Sequence, residues 1–297
     1  MSRGASLLRV TIVYVIAIAA GLAWLLWGPA TDHLWLDGLL ADLIATLVVF
    51  AGSRIFRNSS VYDAYWSVIP PLLAFYWWVA ADAGVNDVRW WLMMIVLLAW
   101  AIRLTANWIR TFPGMHHEDW RYPLVRERAG RFGVVADLMG IHVFPTLVVF
   151  AGLIPVYVVA TRAGEPLGWL DYLACAVGIA ALTLETVADL QMHSFIATRS
   201  PGQVMQSGVW SWSRHPNYFG ECGIWLSMAL FGLAAYPGAW WVFVGAAAMV
   251  TMFLGVSIPM MEQRSLERRP EYSQVVARVS RFFPRPPKKG SLQTTRA

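Results

Sequence analysis

The chain has 297 residues, 58% of them hydrophobic and only 14% charged, with a mean hydropathy of +0.51, which excludes a soluble domain of ordinary composition. Its two cysteines, Cys175 and Cys222, sit in apolar runs without disulfide-framework or Cys-x-x-Cys spacing and read as packing residues. The net charge of +5 comes largely from arginines in loops and in the tail, so it reports orientation in a membrane and gives no reason to expect a nucleic-acid partner.

The pattern predicts an all-α protein, a polytopic transmembrane helix bundle. Runs of about 20 apolar residues, enough to cross a hydrocarbon core of roughly 30 Å, occur near 7–27, 36–56, 64–81, 89–110, 138–161, 169–190, 216–236 and 239–261. That gives eight spans. Seven is the fallback, because the third run contains Pro70-Pro71 and the last two are joined only by Pro237-Gly238. The first run is longer than a signal-peptide core and is followed by no small-residue cleavage site, so it is kept as a span. With Arg3 and Arg9 placed in the cytoplasm, the connections on that side carry Arg54, Arg57, Arg110, Arg121, Arg126, Arg128, Arg131, Arg199 and Arg214. The opposite ones carry Asp32, Asp37, Asp82, Asp87, Arg89, Arg162 and Glu165. This asymmetry predicts both termini in the cytoplasm. Tryptophans near run ends, among them Trp24, Trp27, Trp35, Trp77, Trp78, Trp90, Trp91, Trp240 and Trp241, read as interfacial anchors. The chain reads as one membrane domain: helices of 1–110 around an apolar cavity, a polar half at 111–284, and a disordered basic tail at 285–297.

Polar residues gather at the proposed cytoplasmic side. The fourth run ends with Arg103 and Asn107 at i,i+4 on one face, and the sixth ends with Glu185 and Asp189 in the same relation. Either pair alone reads as a packing device. The richest stretch is Gly208 to Glu221, which places Arg214, His215, Asn217, Tyr218 and Glu221 at the mouth of an apolar run. A charge in hydrocarbon costs several kcal/mol unless paired or hydrated, so these residues read as a site. His215 precedes Pro216 and is pushed from the helical region, while Pro216 suits a helix start, an anion-friendly arrangement. The cluster, completed by Glu262 after the eighth run, suits a large, polar, anionic molecule. A second island, Asn58 to Trp66, holds Asp63 between Tyr62 and Tyr65. A carboxyl group in apolar surroundings stays protonated and can donate to a carbonyl, or the island is a helix cap. No Gly-x-Gly, HExxH or Gly-x-Ser-x-Gly pattern occurs, and no Cys/His set suits zinc.

Ser213-Arg-His-Pro-Asn-Tyr-Phe-Gly-Glu221, with Asp119-Trp-Arg-Tyr122 and Met261-Glu-Gln-Arg264 to Glu271-Tyr272, resembles the steroid 5α-reductase family, and most closely its bacterial branch. The likeness covers roughly 58–284. It implies a helical membrane enzyme that binds NADPH in a cytoplasm-facing pocket and reduces the C=C bond of a lipophilic enone such as a 3-oxo-Δ4-steroid; a monomer in the bacterial inner membrane is expected. Cofactor positions implied by the resemblance are Asp189, Arg199, Asn217 and Glu221, with Glu185 where the reductases have an amide. Arg103, Asn107, Arg121, Tyr122, Arg214, His215, Tyr218 and Glu262 complete the expected cofactor set, and Arg199, Arg214 or Arg121 would meet the 2′-phosphate. The family's catalytic acid is matched by Asp63. Trp100 stands at its catalytic tyrosine, so Tyr62 or Tyr65 is expected to serve instead. Two other readings compete: an S-adenosylmethionine-dependent methyltransferase, since the isoprenylcysteine carboxyl methyltransferases share an Arg-His-Pro-x-Tyr core, and a transporter, which would hold its ionisable groups near mid-membrane.

Overall fold

The computed structural model describes residues 2–81, 84 and 87–288, and these form helices and connections without a β-strand. In chain order the helices are α1 (Arg3–Trp27), α2 (Leu34–Phe56), α3 (Tyr65–Ala81), α4 (Asp87–Thr111), the short α5 (Arg121–Arg128), α6 (Gly130–Thr161), α7 (Trp169–Thr198), α8 (Pro216–Ala235), α9 (Trp240–Arg268) and the short α10 (Tyr272–Arg278). Seven of them, α1, α2, α4, α6, α7, α8 and α9, are long and apolar enough to cross a membrane. At 17 residues, α3 falls just short and measures about 26 Å. Much of the expected basic tail, 289–297, lies outside the described residues.

End-to-end contacts show what α3 does. Arg3 Nε at the start of α1 donates to the carbonyl of Phe112 after α4 (2.9 Å), so these two points share one end of the bundle. At the other end Trp77 Nε1 donates to the carbonyl of Leu34 (3.0 Å), and Trp78 stacks on Trp90 with ring centroids 5.5 Å apart. Helix α3 therefore runs the length of the bundle between α2 and α4, and the described chain passes along it eight times. The end that holds Arg3 and Phe112 is here the polar end; the other is the far end.

Two tryptophans expected at the interface belong to the core. Trp77 and Trp90 are fully buried with Trp100 and Trp225, whereas Trp27 and Trp240 remain on the surface. The difference follows from neighbours: Trp77 meets Phe150 and Tyr157 edge-on, at 5.7 and 5.4 Å, in the seam between α3 and α6. Such pairs add about 0.5–1.5 kcal/mol beyond their area.

Both α6 and α9 contain a π-helical turn, at Asp137–Val143 and Phe253–Ser257. The cause is in the sequence. Pro145 and Pro259 lack the N–H that would bond the carbonyl four residues back, at Ile141 and Gly255, and their rings crowd it, so the helix widens there to relieve the clash. Beyond the widened turns the two helices touch. A Cβ on Gly245 of α9 would lie 2.2 Å from the carbonyl oxygen of Ala151 in α6, so only glycine allows this approach.

The far end is held by a buried ion pair. Arg89 of α4 donates from Nε and Nη2 to both oxygens of Asp171 in α7 (2.7 and 3.0 Å) and to the carbonyls of Glu165 and Pro166 (2.7 and 3.0 Å). Both side chains are almost inaccessible, at 1% and 0%. Removing one partner strands the other charge, which costs about 3–5 kcal/mol. Asp171→Ala is therefore expected to lower the unfolding free energy in detergent by that amount while leaving ligand affinity at the polar end within about twofold. Denaturant titration and a binding isotherm check the two parts.

Candidate functional site

A cavity of about 520 Å³ opens at the polar end, within the range of small-molecule sites. Tyr62, Asp63, Arg103, Asn107, Arg121, Tyr122, Glu185, Asp189, Asn217, Tyr218 and Glu221 all line it, so eleven of the sixteen expected site residues meet in one place. Tyr65, Arg199, Arg214, His215 and Glu262 do not line it.

One wall is the seam between α4 and α7. Arg103 and Asn107 face Glu185 and Asp189, so the two i,i+4 pairs are partners of each other. Arg103 Nη1 and Asn107 Nδ2 donate to the same Asp189 oxygen (2.8 and 3.0 Å), and Arg103 Nη2 pairs with Glu185. Beside them Glu221, the second residue of the second turn of α8, receives the indole N–H groups of Trp100 (3.0 Å) and Trp225 (2.9 Å). Trp100, at the place of the family's tyrosine, thus holds a carboxylate. Trp225 lies one turn after Glu221 on the same helix, a spacing visible in the sequence, whereas the Trp100 contact joins residues 121 apart.

The opposite wall grows out of the turn after α2. Helix α2 ends at Arg57 in the left-handed conformation (φ 52°), and Asn58 accepts the N–H of Ser60 (2.9 Å) to start the 3₁₀ turn Ser59–Tyr62. The same Asn58 donates to the carbonyls of Met115 (3.0 Å) and His117 (2.9 Å). Ser59 N donates to Glu118 (2.7 Å), and Asp119 N donates to Ser60 Oγ (3.0 Å). Zipped together in this way, the two segments bring the Tyr122 hydroxyl onto the Asp63 carboxyl group, to which it donates. A buried network supports the turn from below: Asp137 accepts Ser59 Oγ (2.8 Å) and lies within ion-pair reach of Arg54 and Arg126 (3.4 Å each), and His142 contacts Ser53 Oγ (3.0 Å). Asp137 and His142 were not expected from the sequence; both sit in the π turn of α6.

Burial pushes the Asp63 carboxyl up to about 7, against the hydrogen bond from Tyr122 and the charge of Arg121, with Asp119 adding to the rise. Burial also raises Asp119, but its bonds with Arg121, at 2.8 and 2.9 Å, outweigh this and hold it below its ordinary value. Tyr122 is held well above 10, first by burial and then by Asp63.

The expected catalytic tyrosines are placed differently. Tyr65 gives its hydroxyl to Asp42 (2.9 Å) and faces a separate, much smaller cavity. Tyr62 reaches the main cavity, but its hydroxyl bonds Thr146 Oγ1 (2.8 Å).

Nor does the Arg-His pair form an anion site. Arg214 Nε bonds Glu262 (2.6 Å), its Nη1 bonds the carbonyls of Val276 (3.0 Å) and Val279 (2.8 Å), and His215 Nε2 contacts Glu262 (3.2 Å). Pro216 does start α8 and His215 is non-helical, as the sequence predicts, yet the ring packs parallel to Tyr218, which stacks on Phe253. These residues fasten the segment after α9 against the start of α8. Arg199 lies exposed just after α7. Near it Arg269 is held below its ordinary value, first by burial and then by Arg199 and Arg268, which marks a rim of like positive charge.

The cavity interior is formally acidic, with Asp63, Asp119, Glu185, Asp189 and Glu221 against Arg103 and Arg121. It therefore favours hydrogen-bond donors such as hydroxyl, amide or cationic groups, and phosphate is better matched at the arginine rim. Two buried polar atoms in this wall, Arg103 Nε and Glu185 Oε1, have no hydrogen-bond partner among the described residues. The remaining wall is apolar and reaches the outer surface of the bundle at Gly140, Phe144 and Val256, the last two 45% and 49% exposed.

The architecture is that of an integral membrane protein with a ligand-sized polar cavity at one end of a helical bundle. The chain belongs to the family described as "Protein of unknown function (DUF1295)", which matches residues 49–279. It is 27% identical over 273 residues to the uncharacterized protein C594.04c of Schizosaccharomyces pombe, an alignment that covers 84% of this chain and 79% of the yeast protein. No solved structure matches the chain.

Replacing Arg214 with alanine removes one partner of a pair in which both side chains are under about one-seventh exposed and frees two carbonyls of the latched segment. The expected loss is about 3 kcal/mol, read by thermal unfolding in detergent, together with faster proteolysis after residue 268.

Proposed function

We propose that this protein is a membrane-bound, NADPH-dependent reductase of a lipophilic enone, with a 3-oxo-Δ4-steroid as the model substrate, and that the polar end faces the cytoplasm. The observation that carries the reading is the convergence of the Arg103/Asn107 and Glu185/Asp189 pairs with Glu221 in one wall, opposite the Asp63 turn. Of these residues, Asp63, Glu185, Asp189 and Glu221 are at positions that the resemblance to the steroid 5α-reductases singles out, and DUF1295 is related to that superfamily. The excess of arginine at the polar end supports the cytoplasmic orientation.

The donor set fits a nicotinamide dinucleotide. Glu185, Asp189 and Glu221 would accept from its amide and hydroxyl groups, Arg103 and Asn217 would donate, and Arg199, Arg268 and Arg269 at the rim would suit the 2′-phosphate. When bound, NADPH supplies a hydride to the β-carbon of the enone. The protein's part is to position that carbon, to exclude water with the ring wall of Trp66, Trp108 and Phe253, and to stabilise the charge that develops on the carbonyl oxygen. The apolar opening at Gly140, Phe144 and Val256 supports a substrate that arrives from lipid.

One observation favours a second reading. S-adenosylmethionine carries sulfonium and ammonium groups, and the acidic lining suits cations. A thermal-shift titration of the purified protein separates the two, because a ligand at 100 times its Kd stabilises by about 2.7 kcal/mol. NADPH is expected to stabilise and S-adenosylmethionine to leave the midpoint unchanged; the reverse result would sink the reductase reading. Glu221→Gln is expected to abolish the NADPH shift, and Arg199→Ala to weaken NADPH about tenfold while sparing NADH.

A further inference from the structure

We propose that Tyr122 is the hydroxyl that hydrogen-bonds the carbonyl oxygen of the ligand in this cavity, with Asp63 behind it as the group that sets the direction of its proton. The proposal rests on the reductase reading only for the chemistry that follows; carbonyl recognition stands on the geometry of the cavity wall.

Three tyrosines line the cavity, Tyr62, Tyr122 and Tyr218. The hydroxyl of Tyr62 is engaged by Thr146 behind the wall, and Thr146 in turn contacts Thr46 (3.0 Å). Tyr218, on the other side, points its hydroxyl at the Sδ of Met261 (3.0 Å), a weak acceptor. Trp100, whose position in the resembling reductases belongs to a tyrosine, has its only N–H committed to Glu221. The Tyr122 hydroxyl is different because its partner is itself an acid lining the same cavity.

A phenol has one proton. While Asp63 is ionised, the carboxylate accepts that proton and none is left for a ligand. Once Asp63 is protonated, its carboxyl O–H can donate to the phenol oxygen, and the phenol proton is released toward the cavity. Burial places this change at about 7. The neutral form prevails below that value, so the donor is present at lower pH and lost as pH rises through it. The charged and titratable groups facing Asp63, besides Tyr122, are Asp119 and Arg121 from the same loop and Tyr14 from α1. Across the cavity lie Arg103, Glu185, Asp189 and Glu221. Arg121 is bonded to Asp119 through Nε and Nη2 (2.8 and 3.1 Å), which restrains both across the range that matters.

The test is the infrared carbonyl band of testosterone labelled with carbon-13 at its 3-oxo group, bound to the detergent-purified protein without cofactor. In the wild type the band is expected to move to lower frequency on binding below neutrality and to return toward its free position above it. Tyr122→Phe keeps the ring and should abolish the movement, whereas Tyr218→Phe should retain it. Asp63→Asn removes the titrating carboxyl, so its band should keep one position across the pH range in which the wild type's moves. A shift that survives Tyr122→Phe, or a wild-type shift independent of pH, overturns the proposal, and so does failure of the wild type to bind either testosterone or cyclohexenone. NADPH titration of the same samples reports the reductase reading separately: a carbonyl shift without NADPH stabilisation would keep the Tyr122 assignment and remove the reductase.

Discussion

A carboxylate held among apolar helices has to find its donors inside the protein, because lipid offers none. That constraint shapes every part of this bundle that is not simple apolar packing. Asp171 takes Arg89 and two flanking carbonyls share the same guanidinium; Asp189 takes Arg103 and Asn107; Glu221 takes two indoles; Glu262 takes Arg214 and His215. In each case at least one partner comes from another segment of the chain. The acids are therefore the points at which the fold is fastened. They divide by position: Asp171 and Glu262 lie away from the cavity, whereas Glu185, Asp189 and Glu221 border it.

The cavity also depends on a defect in helix regularity. Pro145 and Pro259 each widen the turn before them, in two helices that meet closely further along at Gly245 and Gly152. The combination gives the bundle a tight half and an open half, and the polar residues occupy the open one.

A third element is the zipper between the Asn58 turn and the loop 115–119. The side chains of Asn58 and Ser60, poor in helix interiors but good in caps and turns, satisfy backbone groups of a loop that has no helix of its own, and the loop's Glu118 accepts the backbone N–H of Ser59. The loop is thereby tied to the turn after α2, which pairs Asp63 with Tyr122. The island is the cap that the sequence suggests, and the turn it starts places Asp63 in the cavity wall.

The sequence by itself determined what rests on local periodicity and local chemistry. The apolar runs, the arginine-rich end, the proline that starts α8 and the i,i+4 pairs of α4 and α7 all follow from residues within a few positions of each other. Only the tertiary structure decided which of these groups face one another. Trp77 and Trp90 read as interface anchors because run ends are where such rings usually sit, yet α3 and α6 bury them. Arg214 and His215 read as an anion site, and Glu262, 48 residues away in the case of Arg214, engages both. Tyr65 is a neighbour of Asp63 in the chain but turns to Asp42, while Tyr122, 59 residues on, meets the acid. The reason is physical: helix pitch fixes the direction of a side chain from its own neighbours, but the partner it finds in an apolar medium is set by which helix packs beside it, and no local pattern carries that information.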